Sequence, residues 1–376
     1  MRKLSSRVSS FASVVLAGSL VLMSAACDGA GSVTGPDDTT KPETPVTPTA
    51  GPFFHGAFLG EADSKPERIG AAIRQYGDMV GKAPALVKTY HPVSCDFSAT
   101  GWCGKVLREV SAAGATNFLA LDLRWSGAPQ SGLLEAIAAG RADAEFARIG
   151  RQLAAVGGTV LLEPAWEMNG NWQYVWQGVE NGGDQSAPAK YAAAWRRIVD
   201  IFRREGASNV RWVFNPNVGN PLTNRATGPA HWNWYGHYYP GDAYVDYVGA
   251  HGFNAPRLHG GSWQEFDAMV DGAEADHMLS DLASRYPGKP IIIGEVASDE
   301  GTGDAKARWI RGAFAHMRRH PAVVGAVWFH MDKETDWRVN SSAESLQAYR
   351  EAVRDAGVLA SYSDVSSIRP TMLASN

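Results

Sequence analysis

Leu161-Leu162-Glu163-Pro164-Ala165-Trp166-Glu167-Met168-Asn169-Gly170-Asn171-Trp172 runs from apolar, strand-like residues into a glutamate where the chain should emerge from the interior. Further along, Ile291-Ile292-Ile293-Gly294-Glu295 repeats the pattern. Strands that deliver functional side chains at their carboxyl ends are the working parts of α/β folds. Tryptophans crowd the first stretch, and flat indole rings beside paired carboxylates suit sugar chemistry.

Outward from these two segments, short apolar runs alternate with longer helical patterns. The strand candidates are Phe53–Leu59, Ala85–Tyr90, Asn117–Leu123, Thr159–Pro164, Val210–Asn215, Tyr244–Ala250, Pro290–Glu295 and Val323–His330. Between them, Ala187–Glu205 repeats Tyr191, Trp195, Ile198, Val199 and Phe202 at three- and four-residue spacing, the stripe of a helix packed on a core. Further helices are predicted near Pro66–Met79, Lys105–Ala113, Ala142–Val156, Trp263–Tyr286, Ala305–Arg319 and Ser342–Asp355. Alternation alone also fits an open, doubly wound sheet. The (β/α)₈ TIM barrel is preferred because Tyr90-His91, Asp122, Trp125, Trp166-Glu167, Asn215, His251, Glu295 and Trp328 all fall at strand ends, which share one face in a barrel.

Taken singly, a carboxylate just past a strand is often a helix cap or a salt-bridge partner. Two that meet across one cleft can perform retaining glycoside hydrolysis, which needs carboxyls about 5–5.5 Å apart. Glu167 is then the acid that protonates the leaving oxygen and later the base that activates water, with Trp166 and Trp172 lowering the local polarity. Glu295 is the ionised nucleophile. Trp172 and Trp328 are expected to stack on sugar, whereas Trp195, on the helical stripe, is expected to be packing. His91, Trp125, His251 and Asn215 are candidate substrate contacts, each with a buried structural role as the alternative. Asp122 and Arg124 read as a structural ion pair, and Asn217 as a turn residue.

The chain has 376 residues, 45% of them hydrophobic, enough for a large core. Its 35 basic and 39 acidic residues include no long basic run, which argues against nucleic acid as a partner. Arg2, Lys3 and Arg7, an apolar Phe11–Met23 and Ser24-Ala25-Ala26 read as an export signal over residues 1–27. Cys27 directly follows, resembling a bacterial lipoprotein box, so the protein is expected outside the cytoplasm, secreted or held at a membrane through a lipidated Cys27. Residues 28–50, with Pro36, Pro42, Pro45 and Pro48 and no aromatic, form a flexible spacer. Cys95 and Cys103 are expected to close a small loop by a disulfide. A zinc site is the competing reading of those cysteines, but there is no C-x-x-C and no H-E-x-x-H. No metal or organic cofactor is required by the proposed chemistry. The barrel is expected over residues 51–357, with a tail over 358–376 that adds little to it.

The run Glu163 to Trp172 resembles the acid/base segment of glycoside hydrolase family 26. Further stretches agree in order: Tyr191–Asp200, Asn209–Asn217, Tyr239–Asp242, Val245–Gly249 and Lys289–Glu295. The resemblance implies a retaining (β/α)₈ enzyme acting on polysaccharide, foremost an endo-β-1,4-mannanase, with mixed-linkage β-glucan or β-1,3-xylan as alternatives. It also implies Glu167 as acid/base, Glu295 as nucleophile and Trp328 as a floor beneath the sugar. Two residues depart from the family pattern: Trp166 stands where a His is usual, and Phe253 follows His251 where a Tyr often bonds the nucleophile. Those departures keep open a catalytically silent carbohydrate-binding barrel.

Overall fold

The computed structural model describes residues 51–223, 227–259 and 261–364. The export segment, Cys27 and the spacer lie outside the described residues, as does the tail beyond Asp364. The strands are β1 (Phe53–Phe58), β2 (Leu86–Pro92), β3 (Thr116–Asp122), β4 (Val160–Pro164), β5 (Val210–Phe214), β6 (Tyr247–Val248), β7 (His251–Asn254), β8 (Ile291–Ser298), β9 (Val323–Phe329) and β10 (Val358–Leu359). They pair in parallel from β1 through β6 to β8, and β9 joins β8 back to β1, which closes the barrel. β6 and β7 are two pieces of one stave, both paired to β8, so eight staves make the ring.

Alternation fixes what faces the axis. Phe54, Leu86, Phe118, Leu161, Val213, Tyr247, Ile292 and Val327 form an apolar plug inside the ring. The opposite faces of the strands meet the helices, where the predicted stripe on Ala187–Arg204 is buried, Trp195 included. Helices Asp143–Ala154, Ala305–Arg319 and Ala343–Arg354 fall close to their predicted spans.

Two expectations need correction. The region Trp263–Tyr286 is not one helix: Phe266–Asp271 and Met278–Arg285 are separated by a short 3₁₀ turn. A Cβ on Gly272 would lie 2.2 Å from the Ala268 carbonyl, and Asp276 and His277 take left-handed φ of 58° and 50°, so the chain breaks there. The tail also contributes to the barrel. Val358 and Leu359 pair with Phe53 and Phe54, Tyr362 packs on Phe54 and shares a 2.6 Å hydroxyl contact with Tyr247, and Asp364 ion-pairs with Arg211 at 2.6 Å. The barrel domain therefore continues to at least Asp364 and covers the lower end of the plug.

Candidate active site

One alternation step above the apolar plug, the interior turns polar. Lys88 lies two residues beyond Leu86, Glu163 two beyond Leu161, and Asn215 two beyond Val213, so the pleat directs all three inward. Lys88 is completely buried, and its ammonium donates to Glu163 Oε1 at 2.9 Å, to His251 Nε2 at 3.2 Å and to the Gly294 carbonyl at 3.2 Å. It also lies 3.1 Å from Glu295 Oε1. Asn215 Nδ2 donates to Glu163 Oε2 at 2.6 Å. The layer needs glycine in the neighbouring strand, because a Cβ on Gly294 would stand 2.1 Å from Asn215 Nδ2 and 2.7 Å from His251 Nε2.

Each catalytic candidate is presented by an irregularity. Glu295 sits on a bulge: Ile293 pairs with Ala326 but Val296 with Trp328, so β8 holds one more residue than β9 across that interval. Glu167 lies just beyond β4, in a loop where Ala165 and Glu167 adopt left-handed φ of 52° and 55°. Such conformations are uncommon for non-glycine residues and persist where surroundings over-determine them. Here Glu167 N donates to the Asn215 carbonyl at 3.0 Å, Trp176 Nε1 to the Trp166 carbonyl at 2.8 Å, and Gln177 Nε2 to the Glu167 carbonyl at 3.0 Å. Asn169 ties the same loop to the one after β5 through the backbone of Asn217 and Gly219.

The two carboxylates converge. An oxygen of Glu167, an oxygen of Glu295 and a ring nitrogen of His251 all lie within 4.8 Å of one another. His251 Nδ1 is 3.0 Å from Glu167 Oε1, and the tautomer with its proton on Nδ1 donates to Glu167 while Nε2 accepts from Lys88. Trp172 Nε1 donates to Glu167 Oε2 at 2.6 Å. Burial pushes the Glu295 carboxyl above its ordinary range, and the Lys88 and Lys333 ammonium groups pull it back. Burial would raise Glu163 as well, but Lys88, His251 and Asn215 hold it down at about 2. Glu163 and Lys88 therefore form a fixed ion pair beneath the reacting carboxylates.

Above this layer opens a cleft of about 1250 Å³, walled by Tyr90, Trp166, Trp172, Phe253, Phe329 and Trp337. Trp172 is 41% exposed, an indole face available to a ligand. Trp166 fills the position of the usual His with an aromatic cluster, its ring against Tyr90, Tyr174 and Trp176. Phe253 packs on Phe329 and Trp337 and offers no hydroxyl to Glu295.

The remaining expected contacts divide. His91 and His251 line the cleft, and burial lowers His91 to about 4, leaving a neutral ring. Asn217, read as a turn residue, also lines it. Three expectations are corrected. Trp328 is 2% exposed and points out of the barrel between Trp309 and Tyr349, donating to the Trp337 carbonyl at 2.8 Å; it is core, and Phe329 and Trp337 face the cleft instead. Trp125 is half-buried against the hydrophobic core and is not among the cleft-lining residues. Asn215 lies under the cleft as a support for Glu163 rather than in it. Asp122 and Arg124 form the expected ion pair, and Cys95 and Cys103 the expected disulfide, with Cα atoms 6.2 Å apart. Lys88 was not legible as a site residue, since a lysine inside an apolar run carries no sign of which face it takes.

Residues 142–289 match the family model for glycosyl hydrolase family 26. Over 301 residues, 79% of the chain and 30% of the relative, the sequence is 38% identical to endoglucanase H of Acetivibrio thermocellus. Over 95 residues, 24% of the chain and 16% of the relative, it is 38% identical to mannan endo-1,4-beta-mannosidase A and B of Caldalkalibacillus mannanilyticus. The chain thus spans less than a third of either curated relative. Among solved structures, the catalytic domain of the Bacillus sp. JAMB-750 family 26 endo-β-1,4-mannanase superposes with a TM-score of 0.59 at 18% identity, covering 82% of this chain and 87% of that one. The modular endo-β-1,4-mannanase of Cellulomonas fimi gives a TM-score of 0.57 at 18% identity, covering 82% and 72%. At that identity the superpositions speak to the barrel fold.

Proposed function

We propose that the chain, whose residues 142–289 match the glycosyl hydrolase family 26 model, is a retaining endo-β-glycanase of that kind working by double displacement. The observation that carries the reading is the meeting of Glu167 and Glu295, with oxygens inside 4.8 Å, at the base of an aromatic cleft. That separation suits a nucleophile at the anomeric carbon and leaves no room for a water between the carboxyls, as inversion would need. In the first step a Glu295 oxygen bonds to the anomeric carbon while Glu167 gives its proton to the departing glycosidic oxygen. In the second, Glu167 takes a proton from water as the water oxygen displaces Glu295. Trp172 Nε1 and His251 Nδ1 stabilise Glu167 as it becomes anionic, and Lys88 does the same for Glu295 whenever it is free.

β-1,4-Mannan is the first substrate proposed, supported by the mannanase relative and the resemblance of the acid/base segment. A second reading, a β-glucan, is favoured by identity to an endoglucanase across 79% of the chain and by Trp166 and Phe253 beside the carboxylates. Reducing-sugar release from galactomannan, mixed-linkage glucan and β-1,3-xylan, compared with Glu167→Ala and Glu295→Ala, ranks the substrates and tests the chemistry. Binding of these polymers with no release by the wild type would instead make the barrel a binding module. The export signal and the lipoprotein-like Cys27 support attachment at the cell surface, and release of a Cys27→Ala variant into the medium is the expected result.

A further inference from the structure

Asp271 closes the short helix Phe266–Asp271, and His316 and His320 stand four residues apart at the end of helix Ala305–Arg319. All three point to one spot. His316 Nε2 is 2.9 Å and His320 Nε2 3.2 Å from the same oxygen, Asp271 Oδ2, and the three donor atoms lie within 4.8 Å of one another. We propose that these side chains bind a divalent transition-metal ion, zinc(II) by their chemistry, which fastens the cleft wall to the outer helix layer.

The donor set and its spacing fit. Tetrahedral zinc with bonds of about 2.0–2.1 Å places neighbouring donors roughly 3.3 Å apart, close to the 2.9 and 3.2 Å that separate the two imidazole nitrogens from Asp271 Oδ2. His316 lies in the last turn of its helix and His320 is the residue that ends it, and the C-terminal end of a helix favours a cation. The carboxylate is already aimed: Ser280 N donates to Asp271 Oδ1 at 2.8 Å, leaving Oδ2 toward the imidazoles. Side-chain exposures of 14%, 12% and 23% for Asp271, His316 and His320 let an ion and its waters reach the site. Nearby groups are Arg319, whose exposed guanidinium lies 3.5 Å from His316 Nδ1 and must turn aside when that nitrogen carries a proton, and His277, bonded to the Asp271 carbonyl at 2.6 Å.

The placement gives the ion a task. Ala268 and Met269, in the same short helix as Asp271, line the cleft, and that helix is followed by the broken turn at Gly272. A metal joining Asp271 to the end of helix Ala305–Arg319 replaces the hydrogen bonds from His316 and His320 with coordination bonds, in addition to packing such as Phe266 on Trp309. The alternative is a carboxylate hydrogen-bonded to two imidazoles and nothing more.

The test titrates EDTA-treated full chain with zinc sulfate by calorimetry, with Tm recorded in parallel and cobalt(II) absorption as a geometric probe. One ion per chain, a raised Tm and a tetrahedral cobalt spectrum are expected, with affinity reduced at least about tenfold in Asp271→Asn and in His320→Gln. A Glu295→Gln variant disrupts the other carboxylate–histidine grouping, at Glu167, His251 and Glu295, and is expected to bind zinc as the wild type does. No uptake by wild type, uptake unchanged in both Asp271→Asn and His320→Gln, or loss in Glu295→Gln overturns the assignment. None of these readouts requires hydrolysis.

Discussion

Replacing Lys88 with methionine removes an ammonium that sits 2.9 Å from Glu163 and 3.1 Å from Glu295, both buried. Unit charges about 3 Å apart at an effective dielectric of about 20 attract by roughly 5 kcal/mol. Losing one partner of a buried pair destabilises by about 3–5 kcal/mol, because the carboxylate left behind has no counter-charge. Glu295 loses an ion-pair partner as well. Burial already holds its carboxyl above the ordinary range and Lys88 is the first of the groups opposing that, so the substitution moves it further up. The nucleophile must be ionised, so the acid limb of kcat/KM shifts upward with it. Below the new limb, the rate falls about tenfold for each unit of displacement. A methionine variant too unstable to purify does not end the test. The double variant Lys88→Met with Glu163→Gln removes one stranded carboxylate and the lysine together, restoring stability while Glu295 still lacks its cation. Its pH profile, measured with an activated aryl β-glycoside, is expected to keep the displaced acid limb. A folded double variant with the wild-type limb would refute the assignment of Lys88 as the group that keeps Glu295 ionised.

Trp328→Phe is expected to lower Tm, since it deletes the bond to the Trp337 carbonyl within the core, and to leave KM unchanged, whereas Trp337→Ala raises KM for polymer; the reverse pattern would return Trp328 to the cleft. Stability is expected to fall as pH descends from about 6.5. Burial depresses His55, His91 and His330 to about 4, so the unfolded chain takes up protons that the native state refuses. The loss is at most about 2 kcal/mol per histidine at pH 5. Glu163, depressed to about 2, adds a further loss between its unfolded value of 4.5 and 2, as its carboxylate is protonated. Urea midpoints at pH 7, 6, 5 and 4 check this, and a flat series across pH 7 to 5 contradicts the neutral buried histidines.

The barrel was legible because strand candidates end in residues such as Tyr90-His91, Trp166-Glu167 and Glu295, and a barrel gathers such ends on one face. Leu86, Leu161, Val213 and Ile292, which the structure puts in the plug, lie in short β-branched or aliphatic runs that suit strands buried on both faces but carry no mark of which face is inward. Once those residues fix the inward face, counting by two places Lys88, Glu163 and Asn215 in the layer above, and counting by one places Trp328 outside. The error over Trp328 was thus an error of parity: Phe329, its neighbour, faces the cleft. Period-two alternation moves every side chain to the other face with a slip of one residue, and motif resemblance alone does not fix that slip.

Alternation also fails at the residues the chemistry most needs. Counting from Ile292 sends Gly294 inward and Glu295 outward, yet Glu295 enters the cleft because β8 carries an extra residue between Ile293 and Val296. Counting from Leu161 and Glu163 ends at Pro164, and Glu167 is then aimed by two left-handed residues that no propensity favours. Both departures are held by contacts from distant parts of the chain: the Asn215 carbonyl accepts from Glu167 N, and the Ala250 carbonyl accepts from Gly294 N just before the bulge. A regular strand could offer these glutamates only at fixed pleat positions. The bulge and the strained loop bring them together independently of the register that packs the barrel, and that independence hides their meeting from a pattern of apolar residues.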